Sequence, residues 1–271
     1  MRDAGDPVRG PDPTTLSICL AKNLSKQILR AAGIGTPEWQ LLTTGKEKLK
    51  TFRYPVIVKP NAEGTSKGIT EASVVHDEAG VRAAAKVLVE RYGQPALVEE
   101  YIVGRELTVG LLGEKRPRAL PIMEIVFVGG GRTPVYGFEE KKDFTERVRC
   151  ECPAKLTPAE QKRVEKVARD TFVVLDCRDV ARVDLRMAED GTVYVLEVNP
   201  LPGLAPGFSD LCLIADKAGM QYKDLIGEIL IGAVKRRNQL RTPPQAGAAA
   251  PAGPAGTAAP AAPAPAGLPK T

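Results

Sequence analysis

Three oxygen-bearing side chains late in the sequence could hold a hard divalent cation. In the stretch Arg182-Val-Asp-Leu-Arg-Met-Ala-Glu-Asp-Gly-Thr-Val-Tyr-Val-Leu-Glu-Val-Asn199, an Asp-Gly pair separates two alternating runs, the strongest short-range signal for a β-hairpin. With Asp190-Gly191 as a two-residue turn, Asp184 faces Glu197 and Arg182 faces Asn199. Alternation puts these four on one face and Val183, Leu185, Met187, Leu196 and Val198 on the other. Facing carboxylates repel each other. A cation between them removes the conflict, and two carboxylates with an Asn carbonyl form a hard-oxygen set suited to Mg²⁺. The competing reading is a solvated polar face that Arg182 neutralises. The rigid Pro200-Leu-Pro-Gly203 turn directly after the hairpin favours a site.

A second constellation could hold phosphates. Lys59 ends an apolar run and precedes the loop Asn61-Ala-Glu-Gly-Thr-Ser-Lys-Gly68. Glycines let backbone amides approach phosphate oxygens, Thr65 and Ser66 add hydroxyl donors, and Lys59 adds charge. Neither the Walker A pattern nor the dinucleotide glycine fingerprint is present. Taken alone, the loop reads more readily as a plain strand connection.

These residues need elements to position them. A helix is expected from Asp12-Pro13 to about Ala32, with Leu16, Leu20, Leu24 and Ile28 at four-residue spacing. Strands are expected at Trp39–Leu42, Tyr54–Lys59, Ile69–Val75, Ala96–Tyr101 and Glu106–Leu112, with a helix from Asp77 to about Tyr92 and Gly104 as a break. Antiparallel strands follow at Ala119–Val128, Pro134–Phe138 and Val148–Cys152, with a Gly129–Gly131 turn. Thr157-Pro-Ala-Glu160 is a capping box that starts a helix to about Leu175. The hairpin strands Asp179–Met187 and Val193–Asn199 and two helices, near Ser209–Ala218 and Tyr222–Arg236, complete the folded part. Strands mixed with helices, without strict alternation, indicate an α+β fold with two lobes. Pro243–Thr271 holds 12 Ala, 8 Pro and 4 Gly, too little apolar surface to offset chain entropy, so a disordered tail is expected over 243–271.

Composition excludes several functions. Net charge is +5 on 38 basic and 33 acidic residues, and aromatics make up only 5%. No basic stripe with interleaved aromatics marks a nucleic-acid binder. No apolar run approaches a membrane span, and the polar start carries no signal-peptide core. A cytoplasmic, reducing compartment is therefore expected, with the five cysteines as free thiols. No CxxC pair suggests zinc. The single histidine, His76, stands just before the expected helix cap Asp77 and cannot build a multi-His metal site; chemistry is expected to run on Lys, Arg, carboxylates and backbone amides.

Taken together, Tyr-Pro-Val-Ile-Val-Lys-Pro60 with Glu-Gly-Thr-Ser-Lys-Gly68, Val98-Glu-Glu-Tyr-Ile102, Gly-Arg-Glu-Leu-Thr-Val109, Ala-Arg-Val-Asp-Leu185 and Leu-Glu-Val-Asn-Pro-Leu-Pro-Gly203 resemble the ATP-grasp superfamily, and within it the D-alanine–D-alanine ligases. The resemblance covers about Asp12 to Lys235. It implies an ATP-grasp fold of two lobes, each a sheet with packed helices, at 14–103 and 104–242, with nucleotide bound between them and 1–13 a residual N-terminal segment. It implies Lys22, Lys59, Thr65, Ser66 and Lys141 at the ATP phosphates, Glu99, Glu100, Tyr101 and Ile102 along adenine, Glu106 on ribose and Leu196 packed on adenine. Asp184, Glu197 and Asn199 match the metal ligands, for Mg²⁺ or alternatively Mn²⁺. Arg182 and the Gly203 amide would stabilise the developing oxyanion, and Ser66 is the third residue given a catalytic role.

The implied chemistry is ATP-dependent ligation of a carboxylate to an amine through an acyl-phosphate, in peptidoglycan precursor synthesis for the cell wall. The implied partners are small-molecule amino acids and no nucleic acid or membrane, with a homodimer allowed. Three features depart from the family pattern. The family's further N-terminal domain has no counterpart in this sequence, Lys142 stands where a Tyr is common, and Phe208, beside Ser209, stands where a serine should hold the second substrate. The alternatives are a ligase with a different amino or hydroxy acid acceptor, and an ATP-binding module without ligase activity.

Overall fold

The computed structural model describes residues 10–64, 66–128 and 148–241. Apolar alternation builds two antiparallel sheets. The first joins β1 (Trp39–Leu42), β2 (Val56–Pro60), β3 (Val74–Val75) and β4 (Ala96–Glu100) in the order β1-β4-β2-β3. Helix α3 (Glu78–Tyr92), capped by the Asp77 side chain on the Gly80 amide, closes one face of it. Val81, Ala85 and Leu88 of that helix pack on Leu42, Val56, Val58, Ala96 and Val98.

The second sheet runs β10-β9-β5-β7-β8, with β6 (Arg118–Ala119) paired to β5. Its strands are β5 (Gly104–Gly113), β7 (Met123–Phe127), β8 (Val148–Glu151), β9 (Asp179–Ala188) and β10 (Val193–Asn199). Helix α4 (Pro158–Val174) opens with the expected capping box between Thr157 and Glu160. Its Val164, Ala168 and Phe172 meet Leu107, Val109, Val183 and Leu185. Helices α5 (Asp210–Lys217) and α6 (Tyr222–Arg241) bury Leu211, Ile214, Leu225 and Ile229 against Leu112, Leu120, Met123 and Val180. The α+β architecture with two sheets is thus as expected.

Several local expectations are corrected. The single helix expected at residues 12–32 is two, α1 (Pro13–Leu20) and α2 (Lys22–Ala31). Ala21 adopts an extended conformation with ψ 90. Asn61 takes over the freed donors: its carbonyl accepts from the Lys22 amide at 3.0 Å and its side chain from the Asn23 amide at 3.0 Å. The break leaves Leu20 and Leu24 exposed instead of buried. Of the expected strand 69–75 only Val74–Val75, the short β3, is strand, and Glu71–Ser73 before it is a 3₁₀ turn. Strand 119–128 splits into β6 and β7 around Pro121, which offers no ladder donor. Gly104 begins β5 rather than breaking a strand; a Cβ there would lie 2.1 Å from the Met187 carbonyl oxygen. The Gly129–Gly131 turn, strand 134–138, the tail 243–271 and most of the 1–13 segment lie outside the described residues. Among the described residues no helix is long and apolar enough to cross a membrane.

Candidate active site

The hairpin pairs Asp184 with Glu197 and Arg182 with Asn199, as the sequence predicts, but by a different route. The connection is longer than two residues. The Gly191 amide bonds to the Ala188 carbonyl, the Ala188 amide to the Thr192 carbonyl, and Gly191 takes φ +79. This is a type I turn closed by a left-handed glycine. Near the turn the register is therefore offset, with Val195 opposite Leu185. A β-bulge at Leu196 restores the pairing beyond it. The bulge also changes which way Leu196 faces. Simple alternation put Leu196 with Val198 in the core, yet the core takes Val193, Val195 and Val198, and Leu196 lines a cleft beside Glu197.

On that face the acids are tightly engaged. Arg182 grips Asp184 with Nε at 2.9 Å and Nη2 at 2.8 Å. Its Nη1 reaches Asp210 Oδ2 at 2.9 Å. Thr108 Oγ1 donates to Asp184 Oδ1 at 2.6 Å. Asn199 Nδ2 bridges the two carboxylates, 3.0 Å from Asp184 Oδ2 and 3.1 Å from Glu197 Oε1. Burial opposes ionisation of Glu197, but Lys22, Lys59 and Arg182 outweigh it and hold its carboxyl far below the usual range. Burial likewise works against the Arg182 charge, and Asp184, Asp210 and Glu197 more than restore it.

Lysines enter from the first sheet and from α2. Lys22 Nζ lies 3.4 Å from Glu197 Oε2 and donates to the Glu63 carbonyl at 2.6 Å. Lys59, at the end of β2, points its Nζ to Glu99 Oε1 at 3.2 Å. Glu99 also takes Lys26 Nζ on Oε2 at 2.7 Å. One cleft between the two sheets is lined by Lys59, Ser66, Glu99, Glu100, Tyr101, Ile102, Glu106, Arg182, Asp184, Leu196 and Glu197. The structure thus gathers these sequence-selected residues around one space. Thr65 and Lys141, with Lys142, lie outside the described residues.

Sequence reasoning missed Thr108, Arg186 and Asp210, which line the same cleft, and Lys26 behind it. Arg186 donates to the Ile102 carbonyl at 2.9 Å and to Glu106 Oε2 at 2.6 Å, and lies 4.7 Å from the Tyr101 ring centroid. A signal for Arg186 was available, since the two-residue alternation through Arg182 and Asp184 reaches it next. Thr108 follows Glu106 by the same step on β5 and faces Asp184 across the ladder. Lys26 lies one turn after Lys22 on α2.

A second cleft shares Arg182, Glu197 and Asp210 with the first and extends to Lys22, Asn199, Gly203, Phe208 and Ser209. A Cβ on Gly203 would stand 2.6 Å from Ser209 Oγ, so a larger residue there would have to turn that hydroxyl away. Ser209 Oγ accepts from the Ala205 amide at 3.0 Å, and Phe208, 60% exposed, stands at the wall of the cleft.

The family pattern described as the D-ala D-ala ligase C-terminus matches residues 28–231. The chain belongs to the D-alanine–D-alanine ligase family. Members of this family are ATP-dependent ligases of the ATP-grasp fold, and the two sheets around the cleft are that fold. The chain is 36% identical over 240 residues to a D-alanine–D-alanine ligase of Verminephrobacter eiseniae (strain EF01-2), covering 85% of this chain and 67% of the relative. It is 37% identical over 233 residues to an uncharacterised protein, y4sG, of Sinorhizobium fredii (strain NBRC 101917 / NGR234), covering 86% and 68%. Among solved structures, the D-alanine–D-alanine ligase from Bacillus anthracis complexed with ATP superposes with a TM-score of 0.69 at 29% identity, covering 86% of this chain and 72% of that one.

Proposed function

We propose that this chain binds ATP in the first cleft and ligates a carboxylate to an amine in the second, in the manner of a D-alanine–D-alanine ligase. The observation that supports this most directly is the shared wall: Arg182, Glu197 and Asp210 line both clefts, so a phosphoryl group leaving one enters the other. Lys22, Lys59 and Ser66 hold the phosphates in this reading, together with Thr65 and Lys141 by resemblance. Glu99 to Ile102 and Leu196 flank the adenine, and Glu106 takes the ribose, held in place by Arg186. The lobes are 14–103 and 104–242.

Asp184, Glu197 and Asn199 fit Mg²⁺ by their chemistry, two carboxylates and an amide that bridges them. Bound there, Mg²⁺ would neutralise charge on the transferred phosphoryl group. Asn199 now offers its nitrogen to both acids, so ligation requires its amide to turn its oxygen inward. Arg182 must loosen its two-pronged grip on Asp184, which frees Nε and Nη2 for the oxyanion beside the Gly203 amide. Each such donor contributes about 3–4 kcal/mol to the transition state.

The peptidoglycan role, and with it a cytoplasmic site of action, belong to this proposal. A different acceptor is the second reading, favoured by Phe208 at the cleft wall and by the acid Asp210 within it. The test is phosphate release from MgATP with D-alanine, with the dipeptide measured by mass spectrometry. Dipeptide formation that Glu197→Gln reduces by about a hundredfold or more, in a variant shown by circular dichroism to be folded at the assay temperature, is the expected result. Phosphate release with no dipeptide moves the assignment to the second reading. MgATP affinity unaltered by Glu197→Gln overturns the metal assignment.

A further inference from the structure

The roles proposed above leave the most buried cation of the region without a task. Lys26 is 1% exposed and lines neither cleft. Its Nζ lies 2.7 Å from Glu99 Oε2 and donates to Thr36 Oγ1 at 2.7 Å. Thr36 Oγ1 in turn donates to the carbonyl of Val195 at 3.1 Å, the residue just before the bulged Leu196. The other Glu99 oxygen holds Lys59. One chain of contacts therefore runs from Lys59 through Glu99, Lys26 and Thr36 to the bulge, joining the first sheet to the hairpin of the second. Two lysines on one buried carboxylate leave a surplus positive charge out of water, an arrangement that costs stability.

We propose that Lys26 is a positioning residue: by holding Glu99 and Thr36 it fixes where Lys59 Nζ and Leu196 stand, and so sets nucleotide affinity from behind the cleft wall. The proposal rests on reading that cleft as the ATP site. The charged groups that act on Lys26 are Glu99 on β4, Lys59 on β2 and Lys22 on its own helix, and the Trp39 ring lies 5.9 Å away. Burial pushes the ammonium down to about 8, against the pull of Glu99. Phosphates arriving at Lys59 bring negative charge close to this network and favour protonated Lys26. Nucleotide binding therefore takes up a proton near pH 8, and affinity falls as pH rises through that value, by roughly tenfold per pH unit at most.

The experiment is calorimetric titration of the full chain with MgATP at about pH 7 and about pH 9, in buffers of different ionisation enthalpy. For the wild type, weaker binding at the higher pH and a buffer-dependent heat from proton uptake are expected. Lys26→Met should bind roughly 10- to 100-fold more weakly at the lower pH, with no proton uptake and no loss of melting temperature. Thr36→Val, which removes the hydroxyl that joins Lys26 to Val195 but leaves Lys26 on Glu99, should fall between the two. Lys26→Met binding like the wild type at the lower pH, or still taking up a proton, overturns the proposal. Should Lys26→Met not fold, Lys26→Arg, charged throughout, carries the test: proton uptake persisting in it overturns the proposal equally. A wild type that does not bind MgATP is a different failure, that of the ATP-site reading.

Discussion

Side-chain identity at the first cleft follows one rule, that each buried charge is met by a named partner. Arg186 is the clearest case. Burial disfavours its charge, and Glu106 and Tyr101 more than compensate, raising its pKa. Removing one member of such a buried pair strands the other, at a cost of about 3–5 kcal/mol. Arg186→Gln is therefore expected to lower unfolding free energy by about 3 kcal/mol. The double variant with Glu106→Gln should lose clearly less than the two single losses combined. Denaturant unfolding of the three variants measures this, and simple additivity would show that the pair is not coupled. The sequence exposed part of this network. Asp184, Glu197 and Asn199 announce themselves because like charges across a hairpin need a reason. Alternation from Asp184 and Glu106 places Arg186 and Thr108 on the same faces but gives them no partners, and a lone Lys26 on a helix is ordinary. Only their register against Glu106, Asp184 and Glu99 gives them meaning, and that register is a tertiary fact.

At the level of elements, the hairpin shows how a correct pairing can rest on a wrong turn. A two-residue turn and a three-residue turn followed by a bulge give the same partner for Glu197. They differ in the fate of Leu196, which a regular strand has no place for and the bulge delivers to the cleft. Deleting Leu196 would carry the register of the turn onward and still bring Glu197 opposite Asp184. A chain lacking Leu196 is thus expected to fold and keep its acid pair while losing the apolar side chain that the proposed function sets against adenine. Burying a leucine side chain contributes about 1.5–3 kcal/mol, so MgATP affinity should fall by roughly one to two orders of magnitude. Leu196→Ala should show a smaller fall in the same direction. Calorimetry on both, with melting temperatures as the folding control, checks this; unchanged affinity in either would mean that Leu196 does not touch the nucleotide. Element boundaries were legible where turn residues bound short apolar runs, as at Trp39–Leu42 between Pro37 and Gly45 and at Val193–Asn199 between Gly191 and Pro200. They failed at Ala21, where a residue forty positions away supplies the cap that breaks the helix.

For the molecule as a whole, the two sheets are held together by helices that precede both of them. Cys19 of α1 and Leu29 of α2 lie in the same buried cluster as Leu107, Val183 and Val195 of the second sheet and Phe172 of α4, with Ile18, Ile28 and Ile34 packed against it. The segment after α2 then covers the outer edge of β10. The Val195 amide donates to the Gly35 carbonyl at 2.9 Å, and Thr36 caps the Val195 carbonyl. An edge strand that would otherwise present unpaired amides is sealed by this segment. Four-residue spacing of leucines pointed to one amphipathic helix but gave no indication of which sheet it would cover, because periodicity specifies a face and not its partner. The consequence is testable far from the substitution. Leu29→Ala removes a side chain with 1% exposure from the second-sheet cluster, a change that costs about 2–5 kcal/mol. Native-state hydrogen exchange should then report faster exchange at Val183, Leu185 and Val195 of β9 and β10. Val56 and Val58 of β2, in the cluster under α3, should change less. Loss of protection confined to the amides of α2, with β9 and β10 unaffected, would show that the N-terminal helices are an appendage rather than part of the core that holds Asp184 and Glu197 in place.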